Sequence, residues 1–372
     1  MKPDILILGA GLAGTSLAWH LAGRARVRVL EQGPQPCAEA SAQNAGMIRR
    51  LVPSARERAW ACRTHERLAE RLPDWADADP FRRTGSLIAL GDADSSEAHA
   101  LEAAAIGLRE RGVGVERVGG AELVRHAPAF AGSAVAHGYW IEDDGVCDPH
   151  ALGAGFVRGA LRRGVRFDFD TRVDRILTVG DRVVGVEAGG ETIHAGHVVV
   201  ATAAWTPRLV APLGIERPLL PFARHLFFSE PHALATQEHP WCWIDDAGVY
   251  VRPETGAFLC SPCDETLVEV SPGPGSRRAV QPLGRAIAHD KLERWLPALR
   301  DLRLHQGWVG IRTFTPSREA LVGPDQDLAG LFWMTAFGGF GVSCAFGAGE
   351  TAADRLTGTR AEHPIDECSA DA

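Results

Sequence analysis

Residues 5–22, ILILGAGLAGTSLAWHLA, decide the fold. Ile5-Leu6-Ile7-Leu8 is a short unbroken apolar run, the pattern of a strand buried on both faces. Glycines follow at positions 9, 11 and 14, and the residues after them predict a helix over 15–22. Arg26–Leu30 (RVRVL) predicts a second strand, which ends at Glu31. Each glycine has its own task. Gly9 permits a tight turn, Gly11 lets backbone approach a pyrophosphate, and Gly14 lets the helix sit close on the strand. A helix N-terminus offers unpaired N–H groups to phosphate. Glu31 stands where a carboxylate can bond an adenosine ribose. The stretch therefore predicts a dinucleotide site on a βαβ unit.

The remainder of the chain sets bounds. Its 372 residues allow about two domains, and 45% apolar with 23% charged residues is an ordinary globular balance. A net charge of −8 without a basic stripe argues against a nucleic-acid partner. Eight scattered cysteines suit a reducing compartment, so a cytoplasmic location is expected. The pair Cys260 and Cys263 has no second pair beside it, and no metal site is expected. Asp4 and Gly9 interrupt anything resembling a secretory signal. The uncharged stretch 328–349 contains six glycines, which argue against a transmembrane helix. Peripheral contact at the inner face of a membrane stays open. Lys2 and Lys291 are the only lysines, which leaves little scope for Schiff-base chemistry.

Helices are expected over 56–72, 97–111, 148–163, 286–299 and 347–356. Strands are expected at 84–90, 197–201, 224–229, 248–252, 257–261, 307–314 and 331–335, with short ones within 165–187. Residues 271–284 read as a loop, and the polar tail 359–372 as mobile. Parallel-sheet signals interleave with antiparallel-looking material. The expected fold is α/β with an α+β second domain. The dinucleotide domain takes 1–75, 145–215 and 318–358, and the substrate domain takes 76–144 and 216–317.

The order of several further pieces resembles that of the FAD-dependent amino-acid oxidoreductases, which include D-amino-acid oxidases and dehydrogenases, glycine oxidase and sarcosine oxidase. The pieces are Gly9–Gly14 with Glu31, Ser41–Met47, Thr84–Leu87, Asp144–Pro149, Val198–Trp205, Tyr250–Pro253, Trp308–Arg312 and Gly338–Gly341. Within that family, Val249–Gly256, Ser261-Pro262 and Gly330–Gly341 look most like D-arginine-dehydrogenase-like enzymes. The resemblance implies a Rossmann-like domain holding FAD noncovalently and a discontinuous antiparallel-sheet substrate domain. It places Gly9, Gly11, Leu12, Ala13, Gly14, Glu31, Gln32, Ser41, Asn44, Ala45, Gly46, Val173, Thr202, Trp205, Gly338, Gly339, Phe340, Gly341 and Val342 on the cofactor. A helix starting at Gly338–Val342 would aim at the N1/O2 edge of the flavin ring, where its partial positive charge favours the anionic reduced form. Ala203 departs from the family, which usually has glycine there.

The implied reaction is hydride transfer from an amino-acid Cα to flavin N5, giving an imino acid and then a keto acid and ammonia. Arg312 matches the family's carboxylate-binding arginine, whose planar fork suits a bidentate carboxylate pair. Tyr250 matches a tyrosine that adds a second bond to the same carboxylate. Arg224 matches a further polar clamp, while strand alternation would turn His225 to the other face. Met47 and Gly339 fall on the substrate side, Met47 where D-arginine-type relatives carry histidine. The acid that those relatives place near Gly85 is also missing, so an apolar or small side chain is expected over arginine or lysine. The electron acceptor is open among a quinone, an electron-transfer protein and O2, with a dehydrogenase favoured. Alternatives are glycine, an N-methyl amino acid, proline or a 2-hydroxy acid as substrate, or a flavin-binding subunit that needs a partner for turnover.

Overall fold

The computed structural model describes residues 2–70, 72–271, 273 and 278–359. The expected mobile tail, apart from Thr359, lies outside the described residues, as does part of the 271–284 loop.

Ile5–Leu8 is an inner strand of a six-stranded sheet. The order across it is Leu321–Pro324, Leu331–Thr335, His197–Val200, Ile5–Leu8, Val27–Leu30 and Arg166–Asp168. All neighbours run parallel except the outermost, Leu321–Pro324. Ile5 and Ile7 pack on helix residues Leu17, Ala18, Trp60, Ala348 and Ala352. Leu6 and Leu8 face the other way, onto Ile176, Val183, Val186 and Ile193 of a three-stranded antiparallel sheet. Cover on both faces explains an apolar run without alternation. The chain continues from Ile5–Leu8 to Val27–Leu30 on one side, while His197–Val200 docks on the other. This reversal of strand order opens a crevice at the carboxyl ends of the strands, where the Gly9 turn sits.

The first helix is Leu12–Leu21, so it starts earlier than residue 15. It packs against the last helix, Gly341–Thr357, which also packs against Ala55–Ala69. The last helix likewise starts well before the expected residue 347. A Cβ at Gly347 would lie 2.6 Å from Trp60 Cα, and one at Gly349 would collide with Ser16 Oγ. Those glycines let helices approach closely, and their low helix propensity misleads a reading based on local preference. Pro282–Trp295 is helical where 271–284 was expected to be loop; proline is tolerated in a first turn, where its missing N–H has no partner to lose.

A nine-stranded sheet forms the second lobe. Its longest strands, Leu220–Pro231 and Leu304–Phe314, pair antiparallel along their length and exceed the expected 224–229 and 307–314. Trp241–Ile244 and His137–Ile141 also belong to it, although neither was expected as a strand, and Trp241–Ile244 runs parallel to Ser86–Leu90. Phe227, Val251, Phe258 and Cys260 face a core completed by Ala288 and Leu292 of Pro282–Trp295. Leu226, Tyr250 and Leu259 face the opposite side, with Ala45, Met47 and Trp243.

A buried ion pair ties segments distant in sequence. Arg50 Nε donates to Asp144 Oδ1 at 2.6 Å, and Ser86 Oγ donates to Asp144 Oδ2 at 2.8 Å. The Asp144 carbonyl accepts from the N–H groups of Thr84 and Gly85.

Glu57 is buried in the first turn of Ala55–Ala69, and its Oε1 accepts from Ala320 N–H at 2.9 Å. Burial pushes its carboxyl up to about 7. A raised acid pKa favours folding fully below the unfolded value, and the advantage is lost as pH rises through 7. Glu57→Gln keeps an acceptor and removes the charge. It should add roughly 1–3 kcal/mol of stability at pH 8 and nothing at pH 4. Denaturant melts at the two pH values measure this; equal effects at both would remove titration as the cause.

Candidate cofactor cleft and active site

The Gly9 turn opens on a long cleft of ≈ 1210 Å³. Glu31, Gln32, Thr171 and Val173 line one part of it, and Gly9, Gly11, Ser41, Thr202, Ala203 and Trp205 another. Past Ala201 and Ala203 it meets a chamber of ≈ 730 Å³ bordered by Leu12, Ala13, Asn44, Gly338, Gly339, Gly341, Val342 and Arg312. A third cavity of ≈ 470 Å³ adjoins at Gly339 and Arg312, between Ala45, Gly46, Met47, Arg49, Arg224, Trp243, Tyr250 and Phe340.

Local chemistry shapes these walls. Gly9 has φ +100°, and a Cβ there would lie 2.6 Å from Ala201 O. A Cβ at Gly14 would collide with Gly9 O, so this glycine seats the helix beneath the turn and does not border the cleft. Leu12 N–H donates to Ser41 Oγ at 2.9 Å, which holds the 37–46 loop over the helix start. Glu31 accepts from Ala10 N–H at 2.7 Å and Gly33 N–H at 2.9 Å. Burial raises its carboxyl above the ordinary value, opposed by those two bonds. Each oxygen has a further lone pair for a hydroxyl.

Asn44 folds its amide into its own loop. Nδ2 donates to Ala40 O at 3.1 Å and Ser41 O at 2.7 Å, while Oδ1 accepts from Gly46 N–H at 2.7 Å. These bonds leave its side chain shaping the loop more than facing a ligand. Ala45, Gly46 and Phe340, expected along the cofactor, border the innermost cavity, which shares Asn44, Arg312, Gly339 and Val342 with the chamber. Trp205 Nε1 donates to Ser271 O, and Thr202 Oγ1 bonds Thr206 Oγ1.

These residues fit a dinucleotide with a large ring. Glu31 lines the cleft, and two helices, starting at Leu12 and Gly341, bring their N-terminal turns to its walls, Leu12 N–H being taken by Ser41 Oγ. A Cβ on Gly339 would meet no atom within 4 Å, so this glycine borders open volume.

Ala203 has φ +43°, a left-handed conformation that costs a non-glycine residue about 1 kcal/mol. Ala203→Gly should leave the melting temperature unchanged or raise it, whereas such a change usually lowers it. It should also leave FAD affinity equal or tighter. A clear loss of stability in a thermal melt would show that the methyl packs usefully.

In the innermost cavity Arg312 and Arg224 project from one face, since Arg224 pairs with Gly310 and Arg312 with Phe222. Arg312 is 6% exposed; its guanidinium donates to Ile311 O at 3.0 Å and Gln43 O at 2.8 Å. No carboxylate pairs with it among the described residues. Burial pulls its pKa down to about 10, opposed by Tyr250, so it stays charged at neutral pH. Tyr250 is buried, with its phenol pushed up to about 12 by burial, and it remains a donor. Met47 completes the wall. His225 lies on the other face, with Nδ1 2.6 Å from Asp264 Oδ2 and Nε2 accepting from Gln281 N–H.

Three residues lining the innermost cavity escaped the sequence reading: Arg49, Trp243 and Ser343, whose Oγ accepts from Arg49 N–H and donates to Met47 O. Arg49 donates to Asp245 Oδ1 at 2.8 Å and lies over the rings of Trp243 and Phe340. Trp243 stands opposite Tyr250 on the neighbouring strand. The only local signal was the Arg49-Arg50 pair after an apolar stretch, and nothing in the sequence around Trp243 marks it.

Fold and cleft define an FAD-binding oxidoreductase. The sequence pattern of the FAD dependent oxidoreductase family matches residues 4–355, and the chain belongs to that family. It is 26% identical to a D-amino acid dehydrogenase of Bradyrhizobium diazoefficiens, over 99% of this chain and 98% of that one. It is 24% identical to a glycine oxidase of Bacillus licheniformis, over 95% and 93%. The crystal structure of L-proline dehydrogenase from P. horikoshii superposes with a TM-score of 0.85 at 22% identity, covering 98% of this chain and 96% of the other. The cofactor is FAD and the protein is an enzyme. No helix among the described residues is long and apolar enough to cross a membrane.

Proposed function

We propose that the protein oxidises an amino acid, with a D-amino acid as the first choice, to an imino acid that water converts to a keto acid and ammonia. Bound noncovalently in the chamber, FAD would supply the two-electron acceptor for the hydride that leaves Cα. One observation carries the reading: Arg312 is a buried guanidinium without a carboxylate partner among the described residues, at the junction of the cofactor chamber and the innermost cavity. Arg312 and Tyr250 would grip the substrate carboxylate and fix Cα toward the chamber, and orientation of this kind supplies most of such catalysis. The choice of D-amino acid is supported by the relative in Bradyrhizobium. Glycine or an N-methyl amino acid is the second reading, supported by the glycine oxidase relative. Electrons would pass to a quinone or an electron-transfer protein in preference to O2. Lys291, which donates to Gly248 O and Pro262 O, is not among the residues bordering the cavities.

Purified protein loaded with FAD should be yellow and should bleach without oxygen when given D-amino acids. Bleaching by 2-hydroxy acids alone, or by no small molecule, would overturn the reading; the last result would favour a partner-dependent flavin subunit.

No Asp, Glu or His lines the innermost cavity among the described residues. The substrate amine must therefore reach it neutral or lose its proton to water. The expected kcat/KM rises with pH along the substrate's own amine pKa, tenfold per unit below it. A plateau set by an enzyme group near pH 6–7, seen with substrates of different amine pKa, would show a base that this geometry lacks.

A further inference from the structure

We propose that the innermost cavity selects an amino acid carrying a second carboxylate, which Arg224 receives while Arg312 and Tyr250 hold the first. The proposal rests on the reading of the site as an amino-acid oxidising centre and names its substrate class. Three guanidinium groups, Arg49, Arg224 and Arg312, line the cavity, and no carboxylate does among the described residues.

Arg49 is already committed. Its NH2 donates to Asp245 Oδ1, its Nε to Leu51 O at 2.8 Å, and its face lies against Trp243. Arg224 is different. It is 5% exposed and its Nε has no hydrogen-bond partner among the described residues. Its only ion-pair partner among the described residues is Glu265 Oε1, at 3.2 Å. Arg318 holds Glu265 more tightly, through NH1 at 2.7 Å and NH2 at 2.6 Å. One carboxylate is thus shared by two guanidinium groups, and the closer one lies at the exposed rim. With Arg312, the cavity keeps two positive charges that no carboxylate on its lining matches among the described residues, although Asp264, bonded to His225 behind the wall, acts on both.

A substrate with one carboxylate satisfies one of those charges and leaves the other buried, with an unmade donor bond. That state is penalised in a water-poor site. A second carboxylate removes the penalty. Trp243 Nε1, also buried and unpartnered, supplies a further donor in the same cavity. The same field repels a cationic side chain, in keeping with the sequence-based expectation against arginine and lysine. A second anionic group replaces the apolar or small side chain expected from sequence.

The test uses the FAD-loaded enzyme. Anaerobic flavin reduction is followed with D- and L-aspartate and glutamate against asparagine and glutamine, which match them in size. The acids should be preferred over their amides by about tenfold to a hundredfold in kcat/KM, for the better enantiomer. Succinate should perturb the flavin spectrum with a Kd at least tenfold below that of butyrate. Arg224→Gln should pull the acid-to-amide ratio toward one. Arg318→Ala, which leaves Glu265 free to turn fully onto Arg224, should lower the same ratio. If Arg224 and Arg312 instead close on a single carboxylate, amides will match acids and succinate will match butyrate. That result overturns the proposal and leaves the amino-acid reading standing. If no amino acid bleaches the flavin, the reading fails and the proposal falls with it. Should the Arg224 variant not fold, the wild-type ratio and the succinate comparison still decide.

Discussion

Arg312→Ala is expected to lower kcat/KM by roughly 30-fold to 1000-fold, about 2–4 kcal/mol, while FAD remains bound. The size follows from a charge-assisted contact in a dry site. The substrate carboxylate would meet a guanidinium that is buried, charged and held by only two backbone carbonyls. The loss should fall on KM and kcat together, because the same grip both binds substrate and aims Cα. Arg312→Lys should recover little, since an ammonium cannot present two parallel donors. Stopped-flow flavin reduction separates the binding step from the chemical one. An unchanged kcat/KM would remove Arg312 from the site.

Asp144→Ala should cost stability on the scale of 3–5 kcal/mol. Asp144 is fully buried, and its two oxygens take Arg50 Nε and Ser86 Oγ. Without it, the Arg50 charge stays in the interior with no partner. Equally important, Arg50 follows the loop along the cofactor chamber, Ser86 begins a strand of the large sheet, and Asp144 precedes Gly145–Cys147. The variant should therefore unfold earlier in denaturant and lose FAD affinity with it. The double variant Arg50→Met with Asp144→Leu should recover part of the loss, because two apolar groups leave no stranded charge. Equal instability of single and double variants would show that packing, not charge, is what the pair provides.

Local features were legible in the sequence and long-range ones were not. Gly9, Gly11 and Glu31 could be read because a turn, a helix start and a strand end lie within one short unit. Arg224 and His225 could be sorted to opposite faces because strand alternation is a local rule. Arg49 and Trp243 could not be found, since what brings them together is the docking of one lobe on the other. The early start of the last helix was hidden for a related reason. Gly347 and Gly349 look like breakers until Trp60 and Ser16, hundreds of residues away, are seen against them. Asn44 sits on the loop where the sequence places it, and its side chain turns back on its own backbone, which no local rule announces.

The strand Leu331–Thr335 and the helix Gly341–Thr357 complete the wall of a chamber begun, hundreds of residues earlier in the chain, by residues 9–14. A nascent chain has no finished pocket for flavin until both of these elements have been translated. Cofactor capture thus waits for segments far apart in the chain. Starvation for flavin should leave full-length apoprotein exposed to proteolysis, not ribosome-bound fragments.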